Sequence, residues 1–177
     1  MRVISGSAKG RKISAPKGMR LRPTSDRVKE AIFNIIAPHV VGCRFLDLFA
    51  GTGNIGIEAL SRGASKCTFI DQWSQSIKYI KLNLEKLAIL DKSIVIKGDV
   101  KKIVEVLDDT YDIVFMDPPY GYDLVIPVLE KISLKLSKHG IVIIETEQKL
   151  SMPFECGGLR LTKTNKYGDT QVSYYKL

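Results

Sequence analysis

Cysteine, histidine and long apolar runs are all scarce in this chain, and each scarcity narrows what it can be. Its three cysteines, Cys43, Cys67 and Cys156, lie far apart, and only His39 and His139 could join them as soft ligands. No Cys-x-x-Cys pair is present, so neither a disulfide framework nor a zinc site is expected. The thiols read as small buried hydrophobes in a protein of the reduced cytoplasm. No apolar run approaches the roughly 18 residues that a membrane span requires. The opening Met1-Arg2-Val3-Ile4-Ser5-Gly6 also lacks the apolar core of a signal peptide. Repeats, low-complexity tracts and linkers are missing too. One domain is therefore expected over residues 1–177, with a basic extension over 1–23 and a core over 24–177, acting as a monomer. At 45% hydrophobic and 26% charged, the 177 residues have globular composition, which excludes a disordered chain.

Charge is present in excess of one sign, with 27 Lys+Arg against 19 Asp+Glu and a net of +8. Its distribution says more than its sum. Residues 1–30 hold nine bases (Arg2, Lys9, Arg11, Lys12, Lys17, Arg20, Arg22, Arg27, Lys29) and two acids, a net of +7. The other 147 residues carry 18 bases and 17 acids, a net of +1. A nearly neutral body with a basic leader suggests a polyanionic partner, because clustered cations displace condensed counterions from a phosphate backbone. The plainer alternative is a solvated segment that aids solubility. A membrane surface fits less well, since the segment has little apolar moment.

Along the chain, Val3–Gly6 and Arg11–Ile13 flank a Gly/Lys/Ala turn and predict a short basic hairpin. Thr24-Ser25-Asp26 supply N-cap types just after Pro23, so a helix is expected to begin there. Val28, Ala31, Ile32, Ile35 and Ile36 recur at helical spacing and should bury one face, leaving Arg27 and Lys29 on the surface. Beyond Arg44, apolar strands are expected at Arg44–Phe49, Lys66–Ile70, Ser93–Lys97, Tyr111–Met116 and Gly140–Glu145. Helices should lie between them, near Asn54–Arg62, Ser74–Leu87, Val100–Leu107 and Leu124–Leu136. Such alternation means a parallel sheet covered on both faces. Leu159–Tyr167 and Thr170–Lys176 then flank Gly168-Asp169 with no helix between, predicting a terminal antiparallel hairpin. The fold class is α/β, and such open sheets place ligands at the carboxyl ends of their strands.

Four of those ends carry an acid: Asp47, Asp71, Asp99 and Asp117. Asp71 and Asp99 could each be helix caps, but caps explain neither the glycine loop nor the Pro-Pro pair. Gly51, Gly53 and Gly56 satisfy G-x-G-x-x-G, which raises a dinucleotide site as a competitor. Asp47, four residues before the first glycine, would repel a pyrophosphate yet suit a cation. The chain also leaves no second domain to hold a dehydrogenase substrate. S-adenosylmethionine, with cationic ammonium and sulfonium groups and a ribose but no phosphate, fits better. Asp117-Pro118-Pro119-Tyr120 is the strongest local signal. Two prolines donate nothing and form a stiff corner presenting carbonyl oxygens. A nucleobase amino group could be held there between the Asp117 carboxylate and the Pro118 carbonyl, with its lone pair aimed at a methyl donor and Tyr120 stacked on the base.

These residues resemble a known family, the bacterial RsmD-type 16S rRNA guanine-N2 methyltransferases of class I. The likeness runs from Arg2-Val3-Ile4-Ser5-Gly6 and Gly10-Arg11 through Leu21–Asn34, Leu46–Gly53 and Asp117–Tyr120 to Lys166–Thr170. It implies a seven-stranded, mostly parallel Rossmann-like sheet ending in the antiparallel hairpin, with a basic N-terminal β-hairpin and helix. It also implies cofactor contacts from Asp47, Gly51, Thr52 and Gly53 at the methionine end, from Asp71 at the ribose and from Asp99 at the adenine amino group, with Phe49, Gln72, Val100 and Asp117 as further cofactor-binding residues. Asp117, Pro118, Pro119 and Tyr120 would hold the target base. Arg2, Lys9, Arg11, Lys12, Arg22, Thr24 and Arg27 would face RNA. The implied substrate is a guanine of 16S rRNA, position 966 in the family, on an assembling small subunit, with no metal and no membrane involved. An adenine-N6 methyltransferase with the same Asp-Pro-Pro-Tyr chemistry, a nicotinamide enzyme and a non-catalytic RNA binder are the alternatives.

Overall fold

The computed structural model describes residues 1–16, 24–119 and 122–177. Arg22 and Tyr120, both expected at the site, lie outside these residues. Helix α1 (Asp26–Val40) begins where the cap residues predict, with Ser25 as N-cap accepting from the Val28 N–H. Five strands follow in alternation with helices: β1 (Arg44–Leu48), β2 (Lys66–Asp71), β3 (Ser93–Lys97), β4 (Tyr111–Met116) and β5 (Leu136–Glu147). Between them lie α2 (Asn54–Ser61), α3 (Ser74–Leu87), α4 (Val100–Val106) and α5 (Tyr122–Ile132). The chain ends in β6 (Glu155–Cys156), β7 (Leu159–Tyr167) and β8 (Thr170–Lys176).

One eight-stranded sheet results, in the order β3-β2-β1-β4-β5-β8-β7-β6. Strands β1 to β5 pair in parallel, and β8, β7 and β6 are antiparallel. The apolar core splits by face. Ile32, Phe33 and Ile36 of α1, Ile57 of α2 and Ile80 and Leu84 of α3 pack on one side of the sheet, with Phe45, Phe69 and Phe115. Val104 of α4 and Val125, Val128 and Leu129 of α5 cover the other, against Leu46, Ile70, Val114 and Ile144. The chain leaves β1 toward β2 and β3, then returns to its opposite side at β4. The strand order therefore reverses beside β1, and a crevice opens there at the carboxyl ends of β1 and β4.

Three expectations need correction. The sheet has an eighth strand, β6, a two-residue pairing of Glu155 with Arg160 and Cys156 with Leu159. Gly157 and Gly158, both at positive φ, turn it into β7. The N-terminal hairpin is reduced to a single bridge, Arg2 with Lys12. Around it the Val3 N–H donates to the Arg11 carbonyl, the Gly10 N–H to the Val3 carbonyl and the Ile13 N–H to the Met1 carbonyl, while the Ile4 and Ser5 N–H groups donate to the Glu58 carboxylate at 2.8 and 3.0 Å. Finally, Lys29 is not on the surface. It is fully buried, 3.5 Å from the equally buried Glu58, because it shares the α1 stripe of Phe33, Ile36 and Val40 that faces the sheet.

Candidate active site

The glycine loop is built by backbone conformations that few residues tolerate. Phe49 leaves β1 at φ +59°, Gly51 follows at +57°, and Gly53 at +77° forms the N-cap of α2. A left-handed non-glycine residue such as Phe49 is strained, and strain of this kind collects where backbone must be shown to a ligand. Gly56 serves a different end. A Cβ there would sit 2.3 Å from the Phe69 ring and 2.6 Å from Cys67 Sγ, so its hydrogen lets α2 lie tightly on β2.

Beneath this loop lies a cavity of about 280 Å³. Of the residues expected at the site, Asp47, Phe49, Gly51, Thr52, Asp71, Gln72, Asp117, Pro118 and Pro119 line it. Thr24, expected at the border of cofactor and RNA, lines it as well. It is 6% exposed, and its hydroxyl donates to Glu145 Oε2 at 2.7 Å. Asp99 and Val100 are not among the lining residues. Asp99 caps α4 by accepting from the Lys101 N–H at 2.9 Å, and Val100 is packed into the core. Gly53 does not line the cavity either; it shapes the loop from behind through its N–H to the Ala50 carbonyl.

Acidity dominates the electrostatics of this crevice. Asp47 accepts from the Gly56 N–H at 2.9 Å. Complete burial, opposed by that hydrogen bond and aided by the Asp71 charge, pushes its pKa up to about 8. Burial and the negative neighbours Glu145 and Asp47 likewise raise Asp117 well above the usual carboxylate range. Asp71 spends both oxygens locally, accepting from the Gly51 N–H and the Trp73 N–H at 2.8 Å each. Six acidic residues line this one small cavity, Asp47, Asp71, Asp117, Glu145, Glu147 and Asp169, and their like charges oppose one another until a cation enters. A cationic ligand with hydroxyls is what this donor set fits, and a phosphate is what it would repel. The Thr146 hydroxyl, buried on the same wall, has no partner among the described residues and is available to a ligand's polar atoms.

Sequence reasoning missed Glu145, the Thr146-Glu147 pair and the Asp169-Thr170 hairpin tip as wall residues. The tip is held against the crevice by the Gln148 N–H donating to the Asp169 carbonyl at 2.7 Å. Glu145 was detectable as one more acid at a strand end, since the last parallel strand is expected to finish there. Trp73, the only tryptophan, is 61% exposed at the cavity rim, a place where a large aromatic needs an explanation other than packing.

Outside the crevice, the expected RNA-facing bases Arg2, Lys9, Arg11, Lys12 and Arg27 are all exposed. Arg2 pairs with Asp26 at 3.3 Å, and Arg11 donates to the Lys86 carbonyl at 2.5 Å. Among the described residues no group of three His, Cys, Asp or Glu side chains is placed to hold a metal ion. No described helix is long and apolar enough to cross a membrane.

Residues 1–176 match the family described as conserved hypothetical protein 95. YlbH of Bacillus subtilis, provisionally named an rRNA methyltransferase, is 39% identical over 99% of this chain and 98% of its own. Ribosomal RNA small subunit methyltransferase D of Escherichia coli K12 is 32% identical over 86% of this chain and 78% of its own. The solved structure of yhhF from E. coli, provisionally named a methyltransferase, superposes with a TM-score of 0.89 at 30% identity, covering 99% of this chain and 96% of that one. The crevice at the β1/β4 switch point thus sits on a class I methyltransferase fold, and the chain belongs to the conserved hypothetical protein 95 family, the RsmD family of methyltransferases.

Proposed function

We propose that the protein methylates the exocyclic N2 amino group of a guanine in small-subunit rRNA, guanine 966 of 16S rRNA, using S-adenosylmethionine. The observation that carries this reading is the Asp117-Pro118-Pro119 corner facing the same cavity as the glycine loop and Asp47. The names of its relatives support rRNA as the substrate class. Asp47, Phe49, Gly51 and Thr52 would hold the amino-acid end of the cofactor, and Asp71 and Gln72 its ribose. When bound, S-adenosylmethionine supplies an electrophilic methyl on a sulfonium.

The chain's own groups then do the positioning. Asp117, half-buried at the cavity with its proton affinity raised, would accept one amino N–H, and the Pro118 carbonyl would accept the other. On transfer the methyl's bond to the sulfonium sulfur would break, leaving a neutral thioether, as its bond to the amine nitrogen formed; the amine would become cationic, and Asp117 is the base beside it that would take the surplus proton. Both effects are electrostatic preorganisation in a desolvated pocket. Exposed Arg11, Lys12 and Arg27 would hold the phosphate backbone and set the register of the target.

Incubation with labelled S-adenosylmethionine and small subunits isolated from cells lacking the enzyme tests the assignment. The expected product after nuclease digestion is N2-methylguanine. Label confined to N6-methyladenine would overturn the guanine assignment and favour the adenine alternative.

A further inference from the structure

Two fully buried polar side chains join the N-terminal arm to the two flanks of the glycine loop. On one flank, Lys29 Nζ donates to the Arg2 carbonyl at 2.6 Å and to Asn54 Oδ1 at 2.7 Å. Its ion-pair partner Glu58 accepts from the Ile4 and Ser5 N–H groups and from Arg62 Nε. On the other flank, Asn83 Oδ1 accepts from the Ser14 N–H at 2.8 Å. Its Nδ2 donates to the Ser14 carbonyl at 3.0 Å and to the Thr52 carbonyl at 3.1 Å. Lys29, Glu58 and Asn83 are each 0% exposed. Thr52 and Asn54 both line the cavity.

Burying such groups is unfavourable unless every donor and acceptor is paired, and here the partners are backbone atoms of the arm on one side and Asn54, Glu58 and the Thr52 carbonyl on the other. An apolar side chain at either place would fill the space and leave arm and loop free to move separately. Gly6 adds a steric lock to the polar ones: a Cβ there would lie 1.8 Å from the Ser61 carbonyl oxygen, so the arm's backbone lies flat on the end of α2.

We infer that Lys29 and Asn83 are positioning residues that lock the arm and the glycine loop into one unit, so that a polyanion held on the arm and the cofactor held by the loop strengthen each other's binding. This rests on the reading of the cavity as the cofactor site. Linkage requires the coupling to be reciprocal: each ligand tightens the other by the same factor. Lys29 and Asn83 themselves need touch neither ligand.

Amide hydrogen exchange on the wild-type protein, read by NMR with S-adenosylmethionine alone, tests this without any variant. The expected result is slower exchange at Ile4, Ser5 and Ser14, by about fivefold or more for coupling of ordinary size, with the amides of β7 at the far sheet edge unchanged. Calorimetry on the same samples separates the two ways of failing. Binding with unaltered arm amides would overturn the clasp alone, whereas no binding would overturn the cofactor assignment beneath it. Asn83→Leu and Lys29→Met supply the second arm of the test. Where their melting stays cooperative, each should weaken S-adenosylmethionine binding and abolish its tightening by a 16S rRNA hairpin fragment. Unchanged affinity and unchanged tightening in folded variants would contradict the proposal.

Discussion

At the scale of single residues, the acids of the crevice make the sharpest predictions. Asp47 has its pKa raised to about 8, so the folded protein holds a proton there that the unfolded chain releases near pH 4. The sign follows from linkage: the native state binds more protons between these two values. This contribution to stability is fully present below pH 4 and is lost as pH rises toward 8. A cationic ligand favours the ionised carboxylate, so binding must expel that proton. Affinity for S-adenosylmethionine should therefore rise between pH 6 and 8, and calorimetry in buffers of different ionisation enthalpy should detect proton release. A pH-independent affinity with no proton released would take Asp47 out of the cation's reach. Asp117→Ala should lower the rate of transfer by about 10²-fold or more, the usual scale for losing one preorganised group, while RNA affinity stays near wild type. Full turnover in that variant would remove Asp117 from the mechanism.

The acids are readable from the sequence because a strand-end position fixes where a side chain points. Lys29 is the exception, although its signal is present in the sequence. Counted from Lys29, the residues Phe33, Ile36 and Val40 complete an i, i+4, i+7, i+11 stripe, and all are buried. Charge suggests the surface where helical geometry puts the residue inside. Its partner is hidden in a different way: every residue of α2 is buried, so Glu58 meets the arm, a contact 54 residues away in sequence.

At the scale of elements, periodicity suffices for most boundaries. Helix α3 spans the expected Ser74–Leu87, and β3 and β4 also match, because their apolar residues alone decide how they pack. Expectation and structure diverge where tertiary bonds replace local ones. The arm keeps a few cross-arm backbone bonds and gives its Ile4 and Ser5 N–H groups to Glu58. The short β6 is beyond any two-residue periodicity, although Gly157-Gly158 is a turn signal. Packing of α2 on β2 depends on Gly56, which has no room for a methyl. Gly56→Ala should destabilise the fold by about 1–3 kcal/mol through overpacking, read as a lower midpoint in urea. An unchanged midpoint would mean that the helix can move away from Phe69 at little cost.

At the scale of the whole molecule, the asymmetric charge acquires a place. The exposed bases Arg2, Lys9, Arg11 and Lys12 sit on an arm whose backbone is fixed beside the crevice, while the crevice itself is acidic. Positive and negative charge are thus separated within one small fold, as the proposed grip on phosphate and capture of a cation require. Reversing Arg11 and Lys12 to Glu should weaken rRNA binding and flatten its salt dependence by about one unit of slope for each phosphate no longer neutralised. Affinity for S-adenosylmethionine measured without RNA should stay unchanged, because neither side chain lines the cavity. Equal loss of both affinities would assign the two bases a structural role.

The strongest single check on the whole account is mass spectrometry of small-subunit rRNA nucleosides from cells with and without this protein. One N2-methylguanine should disappear with the protein and return with the wild-type chain, but not with Asp117→Ala. An unaltered N2-methylguanine content, or loss of a different modified base, would contradict it.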